Sequence, residues 1–232
     1  MEGKGSYRRV KKRSAAVWCF PVFFLVFGLF GASAVHGGLR EALLKAAAAP
    51  GDAAAHAELA RAYNLNNEPG KAFLAARQSL DLMPGFPPAV LELAHASRMK
   101  GNHEEAVKLY EMYLSDDPVS VEALAGNSES LARLERWDES FASAMAAIRE
   151  APKRAEGYGA LGRAYRIAGR FEEAVEVLRQ GLVFRSDSVD ILYDLGLCCV
   201  ELGDRTSALV QYERLLELDP EKASFLFRTI YP

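Results

Sequence analysis

The sequence predicts an all-α fold: a superhelical solenoid of stacked antiparallel helix pairs, preceded by an N-terminal hydrophobic helix. Three observations predict it. Pro50, Pro84, Pro118, Pro152 and Pro220 stand on one ladder with a rung every 34 residues, Ser186 filling the vacant rung. A period between about 20 and 50 residues marks a stacked repeat array. Counting repeats from Ala53, Pro87, Val121, Ala155 and Val189, two further columns run in phase with the prolines. Position 8 (Ala60, Ala94, Ser128, Gly162, Gly196) and position 20 (Ala72, Ala106, Ser140, Ala174, Ala208) are small every time. Position 15 holds Asn67, Gly101, Glu135, Gly169 and Gly203, four of the five tolerant of a left-handed turn.

The chain opens with a basic tail, residues 1–13, where six Lys and Arg face Glu2 alone; the net charge of −3 therefore hides an acidic body. That asymmetry argues against nucleic-acid binding and for a targeting segment. Residues 14–35 carry no charge and are strongly apolar from Val17 to Phe30. About 20 apolar residues span a bilayer as a helix, and a basic flank stays cytoplasmic. The segment is expected to be a transmembrane anchor, placing the array on the exported, periplasmic side, or a signal peptide cleaved near Ala34 after Ala32-Ser33-Ala34.

Residues 36–52 follow as a partial repeat. Leu39–Ala49 reads as one helix of strong formers ended by Pro50-Gly51. Residues 53–220 hold five full repeats with approximate bounds 53–86, 87–120, 121–154, 155–188 and 189–222. Each pairs two helices about the position-15 turn. In the fourth, Tyr158, Leu161, Ala164 and Tyr165 share one face of the first helix, and Ala174, Val177, Leu178 and Gly181 one face of the second. No repeat buries its stripe alone, so stacking completes the core. Residues 223–232 form a C-terminal capping helix whose Phe225, Leu226, Phe227, Ile230 and Tyr231 are too apolar to face water on every side.

These columns resemble the tetratricopeptide repeat (TPR). That pattern has a bulky residue at position 4, Leu at 7, small at 8, aromatic at 11, Ala at 20, aromatic at 24, small at 27 and Pro at 32. The fifth repeat matches with Leu192, Leu195, Gly196, Ala208, Tyr212 and Pro220, the second with Val90, Leu93, Ala94, Ala106, Tyr110 and Pro118. The third departs most, with Asn127 in place of Leu at position 7 and Glu135 at the Gly turn. It is expected to be a soft joint, or else to offer a polar group to a ligand; Trp137 and Phe141 anchor it.

The resemblance implies a concave groove lined by the first helices, at positions 2, 5, 9, 12 and 13, in which a protein or peptide segment binds. The candidate groove residues are Arg61, Asn64, His95, Arg98, Glu129, Arg133, Arg163, Arg166, Tyr193 and Leu197. Five arginines suit bidentate pairing with carboxylates, so an acidic segment is one expected partner; the alternative is a solvated groove whose arginines meet local Glu and Asp. The carboxylate clamp of chaperone-binding relatives has no basic residue at position 5 here.

Catalysis, cofactors and metals are not expected. The four histidines form no H-x-x-x-H pair, and no P-loop, G-x-S-x-G or Cys–His spacing occurs. His56 and His103 fall on packing and turn columns, and Cys198 and Cys199 read as two buried small side chains. The expected function is a non-enzymatic interaction scaffold of the cell envelope. A self-associating array stacked through its ends and an organelle-membrane receptor are the alternatives.

Overall fold

The computed structural model describes the backbone of residues 27–232 and the side chains from residue 38 onward. The basic tail and the start of the apolar segment lie outside the described residues, and although Ala34 falls within the described backbone, the anchor, the signal peptide and cleavage are not tested by it. From Phe27 the backbone is helical and continuous with the partial repeat, giving α1 (Phe27–Ala48) where the sequence suggests a start at Leu39. Among the described residues no helix is long and apolar enough to cross a membrane.

Five helix pairs follow: α2 (Ala53–Leu65) with α3 (Pro69–Leu82), α4 (Pro87–Met99) with α5 (His103–Asp116), α6 (Val121–Arg133) with α7 (Trp137–Glu150), α8 (Ala155–Ile167) with α9 (Phe171–Phe184), and α10 (Val189–Glu201) with α11 (Arg205–Leu218). A last helix, α12 (Pro220–Ile230), starts at the final rung, three residues ahead of the expected Ala223. The described residues contain helices, turns and no strand.

Local chemistry places these ends. Pro69, Pro87 and Pro220 open their helices where the missing N–H is not needed. Asp52, Asp204 and Asp219 accept N-terminal amides at 2.9–3.0 Å. Acidic pairs (Glu104 and Glu105, Asp138 and Glu139, Glu172 and Glu173) sit in the first turns of α5, α7 and α9, where the helix dipole favours them. All five position-15 residues adopt a positive φ, including Asn67 at 57° and Glu135 at 58°.

The helices form two layers. The even-numbered helices from α2 to α12 each touch the next even one, whereas among the described residues the odd ones from α3 to α11 make no extensive contact beyond their chain neighbours. The even helices are therefore the inner layer, and their exposed face is the concave one. Close approach depends on the small columns. A Cβ at Gly162 would fall 2.4 Å from Leu178, and one at Gly196 2.5 Å from Leu226. In the third repeat Ser128 and Ser140 meet instead, the Ser140 hydroxyl donating to the Ser128 carbonyl at 2.8 Å.

The core is uneven along the array. A large cluster joins the fourth and fifth repeats to Ala223, Leu226 and Ile230 of α12. Around α6 and α7 it breaks into small clusters separated by buried polar side chains: Asn127, Ser128, Ser130, Ser140 and Ser143. The serines bond to one another or to carbonyls, while Asn127 Oδ1 is buried with no partner. Phe141 stacks on Tyr165 at 4.7 Å and anchors the repeat to its successor. The apolar residues of α12 and its C-cap divide: Leu226 and Ile230 are buried, and Phe225, Phe227 and the capping Tyr231 are about half exposed.

Candidate functional site: the concave groove

The inner helices enclose an open groove of about 770 Å³ running from α2 to α10. Arg61, Asn64, His95, Arg98, Glu129 and Arg163 line it. Arg133, Arg166, Tyr193 and Leu197 do not. Arg133 is exposed beyond the lining, and Arg166 reaches the floor only through an acid partner. Tyr193 and Leu197 pack against the C-terminal core that α12 completes, so the last repeat presents less open face than the earlier ones.

The arginines are not free along the floor. Arg98 Nη1 and Arg163 Nη1 both donate to Glu129 Oε2, at 2.9 and 2.8 Å. Arg163 Nε donates to Asp194 Oδ2 at 2.8 Å and Arg166 Nε to Asp194 Oδ1 at 2.9 Å. The result is a ladder, Arg98–Glu129–Arg163–Asp194–Arg166, tying α4, α6, α8 and α10 together. Asp190 extends it to α12 through Lys222 at 2.5 Å. Of the two readings of the inner arginines, local carboxylate partners hold for Arg98, Arg163 and Arg166. Arg61 and Arg133 make no ion pair among the described residues.

The electrostatics follow the geometry. Burial alone would raise the Glu129 carboxyl, but Arg163 and Arg98 outweigh it and hold it below the usual carboxylate range. Burial likewise opposes the charge on Arg163, and Asp194 and Glu129 more than restore it. Burial also works against the charge on Asp190, but Lys222 and Arg163 overcome it and lower that carboxyl.

At the other end of the floor a second relay runs outward. Arg98 Nε donates to Tyr110 Oη at 3.3 Å, and that hydroxyl lies 2.8 Å from His95 Nδ1. Because Tyr110 Oη accepts from Arg98, its own hydrogen goes to His95 Nδ1, leaving the ring hydrogen on Nε2. Nε2 lies 3.1 Å from Glu122 Oε1, within ion-pair distance but too poorly aligned for a hydrogen bond. The interaction with His95 holds the Glu122 carboxyl below its usual range. Tyr110 is fully buried under Gly126, where a Cβ would fall 2.4 Å from its hydroxyl.

Glu92, Glu122, Arg154, Glu156, Arg185 and Asp190 also line the groove and were not singled out from the sequence. Position 2 supplies three of them, Glu122, Glu156 and Asp190, and that column was open to inspection. Glu92 and Asp194 share position 6, whose inward direction no apolar pattern signals. His56 Nε2 donates to the Pro50 carbonyl at 3.0 Å, and Tyr158 Oη donates to the Pro152 carbonyl at 3.0 Å, so position 4 secures the proline rung. Cys198 and Cys199 are buried, and burial pushes the Cys198 thiol up to about 12. Among the described residues no group of His, Cys, Asp and Glu is arranged to hold a metal.

Comparison with known proteins agrees with this architecture. A family model described as a tetratricopeptide repeat matches residues 91–155, another of the same description matches 189–222, and a TPR-repeat model matches 162–203. Tetratricopeptide repeat protein 8 of Caenorhabditis elegans is 23% identical over 170 residues, covering 72% of this chain and 34% of that protein. The chain thus spans about a third of that relative. The crystal structure of TTC0263, a thermophilic TPR protein of Thermus thermophilus, superposes with a TM-score of 0.69 at 20% identity, over 76% of this chain and 96% of that one. MamA (41-end) of Desulfovibrio magneticus RS-1 gives 0.51 at 19% identity, over 71% and 96%. YrrB, a TPR protein with an unusual peptide-binding site, gives 0.50 at 16%, over 81% and 97%. The three matches together take in more than half of the sequence, and the chain carries tetratricopeptide repeats.

Proposed function

We infer that the chain is a non-enzymatic scaffold that grips a segment of a partner protein in the groove formed by α2, α4, α6, α8 and α10. The TPR fold itself implies a protein–protein interaction scaffold. The observation that carries the groove assignment is the open channel of about 770 Å³ whose floor is already locked by the charge ladder. A floor fixed before binding loses little freedom when a segment docks. The likeness to YrrB adds only that this fold can carry a peptide-binding site.

Charge reversal at Arg163 and Arg166 would unseat Glu129 and Asp194, so it does not report on ligand contact alone. The cleaner test fills the channel. Ala125 lines the groove on α6 without a charge of its own. Ala125→Trp is expected to lower affinity for peptides selected on the native protein about tenfold, with the helical signal retained at the assay temperature even though Ala125 also packs against Ala144, Ala160 and Leu161. Peptides that bind the variant as well as the native chain remove the groove assignment.

The envelope setting is proposed on composition alone. The basic tail and uncharged residues 14–35 support a membrane anchor or a cleaved export signal, with the array on the exported side; an organelle-surface receptor shares this chemistry with the opposite orientation. The N-terminal residue of the mature protein separates anchor from signal. A second reading, self-association through the array end, is favoured by the half-exposed Phe225 and Phe227 of α12 and its capping Tyr231. Light scattering with α12 aromatics replaced by Ser distinguishes it.

A further inference from the structure

Three inward carboxylates of the inner helices, Glu92, Glu129 and Asp194, are treated differently by the fold. Glu129 and Asp194 are each bracketed by two arginines. Glu92, on α4, is 7% exposed, and among the described residues no Lys, Arg or His nitrogen comes within the 4.0 Å of an ion pair. Its only side-chain partner is Asn64, whose Nδ2 donates to Glu92 Oε2 at 2.8 Å and to the Glu92 carbonyl at 2.9 Å. Among the described residues no protein group donates to Glu92 Oε1, which is not a buried atom but opens onto the channel that the side chain lines. Asn64 Nδ2 is turned to Glu92, and Asn64 Oδ1 is buried with no donor among the described residues. Across the channel on α6 stands Glu122, which receives only the poorly aligned Nε2 of a ring whose Nδ1 is an acceptor. Arg61 lines the same stretch but is exposed and unpaired.

Two carboxylates thus line the channel without a Lys or Arg at ion-pair distance among the described residues; Arg61 and Arg154 favour their charge only from farther off. A buried charge is retained at a loss unless something pairs with it.

We propose that this end of the groove is a subsite for a cationic side chain, a lysine or arginine of the bound segment, with Glu92 as the principal acceptor and Glu122 and Asn64 flanking it. The inference rests on the groove reading above and revises the expected partner: an acidic segment suits the floor between α6 and α10 less well, since its arginines are already paired. Burial raises the Glu92 carboxyl, and the Asn64 hydrogen bond does not offset this, so the folded apo protein carries the charge against its own stability. A purely structural carboxylate would behave in the opposite sense.

The test uses the full chain in mild detergent and an array of unstructured peptides of mixed composition, N-acetylated so that only side-chain cations are read. Native protein, Glu92→Gln, Glu122→Gln and Ala125→Trp are compared. Gln keeps an acceptor for Asn64 and removes only the charge. The expected result is enrichment of Lys or Arg among binders, with affinity about tenfold weaker in Glu92→Gln, little change for binders lacking a basic residue, and a melting midpoint for Glu92→Gln at or above the native value. Binders that respond to Ala125→Trp but show no basic preference, or that ignore Glu92→Gln, overturn the subsite and leave the groove standing. Absence of any binder sensitive to Ala125→Trp overturns the groove reading, and the subsite with it.

Discussion

Glu135 is the clearest case of a side chain at odds with its backbone. It occupies a turn at φ 58°, where the equivalent turns of the second, fourth and fifth repeats have glycine at φ 74–81°. A Cβ in the left-handed region costs roughly 1–2 kcal/mol, and part of any gain from removing it is lost to the greater freedom of glycine in the unfolded chain. Glu135→Gly is therefore expected to stabilise the protein by about 1 kcal/mol, read as a rise in the denaturant midpoint at constant slope. Column 15 made this residue visible in the sequence, because the other turns announced the conformation it must share. Its exposed side chain makes no ion pair among the described residues, so nothing offsets the backbone term.

Among the elements, the α6–α7 pair has the most polar core. Its core is interrupted by five buried polar side chains, and Asn127 stands where Leu59, Leu93, Leu161 and Leu195 pack in the other repeats. An unpartnered buried carbonyl oxygen costs about 1–3 kcal/mol. Asn127→Leu is expected to recover about 1 kcal/mol of that and to slow amide exchange in α6 and α7 before it slows exchange in α10. Unchanged exchange in α6–α7 would show that the amide oxygen is satisfied in solution. The polar break in this core was legible from sequence because a departure at Asn127 is read against four agreeing repeats.

The pairing of charges was not legible in the same way. Arg166 meets Asp194 across 28 residues, Arg98 meets Glu129 across 31, and Arg163 meets Glu129 across 34. Which offset closes depends on how far each inner helix slides along its neighbour. The period states that the neighbours exist but carries no measure of that slide. Likewise Tyr193 and Leu197 were assigned to the groove by column, whereas α12 completes a core on which both pack. A repeating column describes an interior repeat and fails at an end.

At the scale of the molecule, the ladder makes stability depend on acid in a definite sense. Glu129 and Asp190 have folded-state values below the ordinary carboxylate range. Their contribution is present above the unfolded value, near 4, and is lost as the pH falls through the depressed folded value. The melting midpoint is expected to drop on acidification through this window. Glu129→Gln, destabilised at neutral pH by leaving Arg98 and Arg163 short of a counter-charge, should converge on the native curve at low pH. Parallel curves down to the lowest pH would assign the acid sensitivity elsewhere. Glu92 works against this trend, since a raised folded value penalises the ionised form as pH increases.

The ladder also has a mechanical meaning. It joins inner helices only, while among the described residues the outer helices from α3 to α11 make no extensive contact beyond their chain neighbours. Pulling on the ends would straighten the coil by parting inner helices, so the array is a spring braced along one side. The brace runs from α4 to α12; between α2 and α4 the described residues offer the Asn64–Glu92 hydrogen bonds and no ion pair. That end lacks the ionic brace, and it is where Glu92 stands without an ion-pair partner. A cation seated on Glu92 would close the gap in the brace, coupling the compliance of the whole coil to the occupancy of one carboxylate.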